Sequence, residues 1–179
     1  MNKYDTYAIG RAGPEMTGIY VTSDQPLVVY SGNKKMAVRY GHNSGSLDHL
    51  VEQIPPVSTW GREFILTPVP TRTTGDEYKL LASEDNTAVT VREGDTVLAD
   101  VTIATAGDYY LLHGAAGLVA TVVADKPILV VQFEQTLSSG ERNGDPSMQI
   151  IPPVYLFTPD YTFTTPESGQ CSLCHRTVL

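Results

Sequence analysis

The sequence predicts an all-β protein, and three observations carry that prediction. Threonine, valine, tyrosine and isoleucine supply 56 of the 179 residues, and β-branched and aromatic side chains fit a pleated, half-buried surface. Fifteen glycines and 12 prolines cut the chain into short segments, with turn signals at the spacing of a sandwich or barrel. No window sets apolar residues at i, i+3, i+4 and i+7 between helix caps.

Taken in order, strands are expected over residues 4–9, 18–22, 27–31, 37–40, 63–69, 78–83, 88–92, 96–103, 108–113, 118–124, 128–134, 147–151 and 161–165. Turns separate them at Ser23-Asp24-Gln25-Pro26, Ser31-Gly32-Asn33, Glu84-Asp85-Asn86, Glu93-Gly94-Asp95, Ala106-Gly107-Asp108 and Ala124-Asp125-Lys126-Pro127. Each turn mixes residues that tolerate positive φ, fix φ, or bond their own backbone. Leu27-Val28-Val29-Tyr30 and Ile128-Leu129-Val130-Val131 are continuously apolar. They read as central strands buried on both faces.

The sequence repeats itself. Residues 21–30 resemble 122–131 at an offset of 101, with Asp24 matching Asp125 and Pro26 matching Pro127. Gln53-Ile54-Pro55-Pro56-Val57 resembles Ile150-Ile151-Pro152-Pro153-Val154 at an offset of 97. An aromatic segment follows each Pro-Pro pair: 64–68 after the first, 161–166 after the second. Two matched blocks in one order are the mark of a duplication. The expected organisation is two related antiparallel β-sandwich-like units, a first, N-terminally incomplete one over 1–70 and a second over 71–169, with an irregular tail over 170–179. On this reading the chain is expected to be a piece of a longer protein, or a gene product whose missing strands come from elsewhere, which mass spectrometry of the native product would test.

Composition excludes some partners. The net charge is −8 and the pI about 4.8, whereas nucleic-acid binding needs clustered lysine and arginine. Apolar content of 41% with 18% charged residues argues against wholesale disorder. The longest apolar runs are strand-length, so no membrane insertion is expected. The first 16 residues are polar and lack the apolar core of a signal peptide.

Several motifs have chemical readings. Cys171-Ser172-Leu173-Cys174-His175 matches the Cys-x-x-Cys-His spacing of covalent haem attachment, and the same side chains are three zinc ligands. In a terminal tail they read more simply as free thiols or a redox-sensitive pair, so no cofactor and no metal is expected. Residues 42–49 gather His42, Ser44, Ser46, Asp48 and His49, which is triad chemistry in kind. Triad members converge from separated parts of a chain, and no Gly-x-Ser-x-Gly elbow is present. The segment reads as a solvated loop with Asp48 as a cap. Asp24, Glu84, Asp85, Asp95, Asp125 and Asp145 stand at turns, without the Asp-x-Asp-x-Asp-Gly pattern of a calcium loop. Trp60, the single tryptophan, is either a binding anchor or a packing residue over the core edge with its N–H satisfied.

Thr22-Ser23-Asp24-Gln25-Pro26, Ser31-Gly32-Asn33-Lys34, Asp48-His49-Leu50-Val51-Glu52-Gln53-Ile54-Pro55-Pro56 and Ser58-Thr59-Trp60-Gly61 stand in series. Farther on come Leu81-Ala82-Ser83-Glu84-Asp85-Asn86-Thr87, Ala124-Asp125-Lys126-Pro127, Gly144-Asp145-Pro146-Ser147-Met148 and Asp160-Tyr161-Thr162-Phe163-Thr164-Thr165-Pro166. Together, over residues 7–169, they resemble the N-terminal domain of the IgG Fc-binding protein family of mucin-associated secreted proteins. The resemblance implies a secreted or surface-displayed, non-catalytic binding or adhesion module. It also implies a cysteine pair where this chain carries Lys35 and Leu47, so packing alone must hold the loop that a disulfide would stabilise by about 3 kcal/mol.

Three functions are therefore weighed. The first is an extracellular module for a protein or glycan ligand, with Arg39, Tyr40, His42, Asp48, His49 and Trp60 as contact candidates because they are polar or aromatic and lie close in the chain. The second is a spacer or assembly unit that self-associates through unpaired strand edges. The third is a hydrolase using the His42–His49 loop. Pull-downs against mucin, immunoglobulin and glycan arrays separate the first two, and an activity screen on the wild type tests the third.

Overall fold

The structure is a computed structural model that describes residues 2, 4–10, 15–38, 47–70, 73, 75–136 and 145–162. Among these residues nine strands follow in chain order: β1 Val29–Met36, β2 Asp48–Ile54, β3 Gly61–Leu66, β4 Asp76–Ala82, β5 Thr87–Glu93, β6 Thr96–Ile103, β7 Tyr109–His113, β8 Ala120–Glu134 and β9 Ser147–Ile151. Every pairing is antiparallel. The all-β expectation holds. Apart from two 3-10 turns, Val57–Thr59 and Val154–Leu156, the described residues form no helix.

The architecture is organised on β8. Its first half pairs with β3 and β5, and its second half with β4 and β9. With β6 beside β5 and β7 beside β4, seven strands make one sheet. The sheet curls into a half-barrel in which β6 and β7 touch without pairing. Burial follows from the neighbours. Along 120–125 buried and exposed residues alternate, whereas 128–132 are buried without a break. The apolar run Ile128-Leu129-Val130-Val131 is thus a central strand, as its composition requires.

The Ala124-Asp125-Lys126-Pro127 turn expected from sequence lies inside β8. Proline lacks the N–H that continues a ladder, and its position marks where β8 passes from one pair of neighbours to the other. The Pro127 carbonyl is held by Ser83, whose N–H and hydroxyl both donate to it, at 3.2 and 2.5 Å. The Asp125 carboxylate accepts the Ala88 N–H at 2.8 Å. Asp24, its sequence match, lies in a bend outside any strand, for no counterpart of β5 stands beside it among the described residues.

The core is built from Phe64, Leu66, Tyr78, Leu80, Val89, Val91, Val122, Ile128, Val130 and their neighbours, all between β3 and β8. A buried polar knot ties β4, β8 and β9 together. Gln132 Nε2 donates to Asp76 Oδ2 at 2.8 Å and to the Thr67 carbonyl at 2.9 Å, and Gln149 Nε2 donates to Gln132 Oε1 at 2.6 Å. Burial, helped by the Asp76 charge, pushes the Tyr78 hydroxyl far above its usual range. It stays protonated and donates to the Thr67 carbonyl at 3.3 Å.

Residues 4–9 and 18–22, expected as strands, form none. They have the composition but no neighbouring strand, and a strand needs a partner for its backbone groups. Instead the segment at 15–18 is clipped to the half-barrel. Lys79 Nζ donates to Glu15 Oε2 at 2.8 Å and to the Thr17 hydroxyl at 3.1 Å, and lies 4.5 Å from the centre of the Tyr109 ring. Gly18, at φ +90°, passes so close to Gly107 that a Cβ would fall 2.1 Å from the Gly107 carbonyl oxygen. The end of the expected strand at 161–165 lies outside the described residues, and 161–162 are unpaired in any sheet.

Candidate binding surface

The hairpin β1–β2 stands apart from the half-barrel sheet. It joins that body through β2, which packs beside β9, and through reciprocal bonds between Val38 and Thr136. Val38 N–H donates to the Thr136 hydroxyl at 3.0 Å and the Thr136 N–H to the Val38 carbonyl at 2.9 Å. Leu50 is the one residue of β2 that is fully buried. Tyr30 pairs with Gln53 and Gly32 with Val51, and directly opposed residues share a face. With His49 two positions before Val51, the outward face carries Tyr30 and Val51, 66% and 53% exposed, beside an imidazole.

The hairpin repeats the geometry of β8–β9. Under the two sequence offsets, Val29↔Ile54 becomes Val130↔Ile151 and Asn33↔Leu50 becomes Glu134↔Ser147, and the three pairs between them correspond likewise. Each hairpin then runs through Pro-Pro into a 3-10 turn. The two turns lean on one another. The Tyr155 hydroxyl donates to the Thr59 carbonyl at 2.6 Å, and Pro153 sits where Gly61 has no side chain, since a Cβ there would meet Pro153 Cβ at 2.2 Å.

The six sequence candidates do not form one cluster. Asp48 and His49 belong to the start of β2 and not to a loop. The strand was hidden because Asp48, His49, Glu52 and Gln53 make most of it polar. Asp48 accepts the His49 backbone N–H at 2.7 Å, with the His49 ring Nδ1 3.3 Å away. That backbone bond, then the ring contact, hold the Asp48 carboxyl below its usual pKa. The pair is exposed, and its contact joins chain neighbours. Trp60 lies beyond the other end of β2, roughly 20 Å away at the rise of a strand. Its indole N–H donates to the Pro55 carbonyl at 3.1 Å, and its ring lines a cleft of about 130 Å³ with Phe64, Leu129, Ile151, Pro153 and Leu156. Trp60 is half-buried packing between the two turns. Arg39, Tyr40 and His42, like Cys171, Cys174 and His175, lie outside the described residues. Among those described, no three metal-binding side chains come together.

The sequence reading missed a strip of exposed apolar residues. Leu27 and Val28, expected to be buried, are 48% and 62% exposed, and Ile19, Tyr20 and Val21 are 56%, 77% and 48% exposed. The difference lies in the neighbours: the apolar run of the second block is covered by several strands, whereas among the described residues that of the first is paired only at Val29 and Tyr30, with β2.

Fold and surface define an all-β antiparallel module whose distinctive features are a bare hairpin and an uncovered strand edge. The chain belongs to the IgGFc binding protein family, whose model matches residues 1–176, nearly its whole length. No curated protein and no solved structure matches it. Among the described residues, no helix is long and apolar enough to cross a membrane.

Proposed function

We propose that the chain is a non-catalytic extracellular module that binds a protein or glycan partner on the outward face of β1–β2, with Asp48 and His49 at the start of β2; Arg39, Tyr40 and His42 are contact candidates by their place in the sequence alone. The observation that carries this reading is the exposed Tyr30, Val51 and His49 on one strand face. Aromatic and arginine side chains dominate binding energy at protein surfaces, and exposed apolar groups rimmed by polar ones mark interaction sites. Membership of an IgGFc binding family supports a protein ligand such as immunoglobulin Fc. Trp60 contributes by fixing the turn after β2 rather than by touching the partner.

The test is binding of the full chain to immobilised immunoglobulin Fc, mucin and a glycan array. Tyr30→Ser and His49→Ala are expected to weaken capture while leaving the unfolding midpoint unchanged. Capture unaffected by both substitutions removes the face from consideration. The exposed apolar residues ahead of β1 favour the assembly reading as a second property of the same module, developed next.

A further inference from the structure

Within the chain, the segment after the first Pro-Pro turn is β3, which adds to the first half of β8 with Glu63 opposite Val123, Phe64 opposite Val122 and Ile65 opposite Thr121. The sequence offsets give each partner a counterpart. The segment after the second turn, 158–162, matches β3, and residues 19–24 match the first half of β8. Among the described residues neither counterpart pairs in any sheet. Exposed apolar residues lie in or beside each: Ile19, Tyr20 and Val21 with Leu27 and Val28 just after them, and Tyr161 at 67% with Leu156 at 49% and Phe157 at 47% just before it, while the rest of 158–162 is Thr-Pro-Asp and Thr.

We propose that a second copy of this chain docks head-to-tail, its residues 160–162 adding an antiparallel strand beside residues 20–22. The register that joins β3 to β8 carries over: Asp160 faces Thr22, Tyr161 faces Val21 and Thr162 faces Tyr20. Phe157, the match of Trp60, then covers Leu27 and Val28, as Trp60 and Phe64 share a cleft with Ile128 and Leu129. The occupant is chosen by this correspondence, because each copy carries both halves of a seam that the chain already forms once internally. Strand addition gives sheet bonds to backbone that has none among the described residues, with the exposed local bonds of Thr158 to the Asp160 carbonyl and the Tyr161 hydroxyl exchanged for them, while apolar pockets set the register. Such an interface is heterologous, so it grows into open rows or closed rings. It stands independently of the ligand face, which lies on Tyr30, Val51 and His49.

The experiment uses the full chain with Cys171→Ser and Cys174→Ser. A Val21→Cys chain is mixed with a Tyr161→Cys chain and oxidised, and Val97→Cys, on the exposed side of β6, replaces Val21→Cys as the control. Cross-linked product between 21 and 161, absent between 97 and 161, supports the proposal. So does a sedimentation mass that rises with concentration and returns to that of one chain in Val28→Asp. All these positions are exposed, so folding is preserved and is checked by circular dichroism. Equal cross-linking at 97, or a wild type that stays monomeric at every concentration without a 21–161 product, overturns it.

Discussion

Ile128, Leu129, Val130 and Val131 are between 0% and 6% exposed, whereas their matches Leu27, Val28 and Tyr30 are 48%, 62% and 66% exposed. The two hairpins share a pairing register residue for residue, so register and burial have separate causes. Register comes from the strand directly opposite. Burial comes from the neighbours beyond it: among the described residues β8 pairs with four strands and β1 with β2 alone. Like residues therefore form a core in one copy and a surface in the other.

That contrast breaks or sharpens by mutation. Ile128→Ala should lower unfolding stability by about 2–5 kcal/mol through the cavity it leaves, while Leu27→Ala should stay within about 0.5 kcal/mol. Urea unfolding compares them, and equal losses would erase the distinction. Gly61→Ala should cost about 1–3 kcal/mol by forcing Pro153 aside. At the matching position Thr158→Ala removes an exposed hydroxyl bond to the Asp160 carbonyl and should change the thermal midpoint little. Tyr155→Phe removes the bond to Thr59 that joins the two turns and should cost about 0.5–1 kcal/mol, read by thermal unfolding.

The smallest effect is electrostatic. Burial pushes the Glu15 carboxyl up, but the hydrogen bonds from Lys79 and Thr17 and the charge of Lys79 outweigh it and hold it at about 2. The folded value lies below the ordinary 4.5, so the contribution is complete above that value and fades as pH falls from 4.5 towards 2. Glu15 is half exposed, so solvent screens the pair and its worth is a few tenths of a kcal/mol. Titration of the Glu15 carboxyl by NMR should show the low value, and Lys79→Met should restore an ordinary one.

Much of the half-barrel is legible in the sequence, because between 61 and 151 composition and long-range pairing agree. The apolar run at 128–131 looks like a buried strand and is one. The run at 27–30 looks the same and is not, since no local pattern records whether a neighbouring strand exists. β2 was obscured for the opposite reason: Asp48, His49, Glu52 and Gln53 give it the look of a loop, and only its pairing with β1 makes it a strand. Residues close in the chain were expected to act together, yet an extended strand carries Asp48 and Trp60 to opposite ends.

The central place of β8 has a consequence for the newly made chain. β3 emerges from the ribosome some fifty residues ahead of the strand it pairs with, Leu66 opposite Ala120. Until that partner arrives, Phe64 and Leu66 stay wet and open to foreign contact, and β4 and β5 wait alongside them. Acquisition of the native state is then gated late, by the appearance of one segment that knits several earlier ones, which is the regime of slow folding and of exposure to aggregation. A chaperone demand concentrated on the interval between β3 and β8 follows, and charged residues such as Arg62 and Glu63 sit where they keep that waiting stretch soluble.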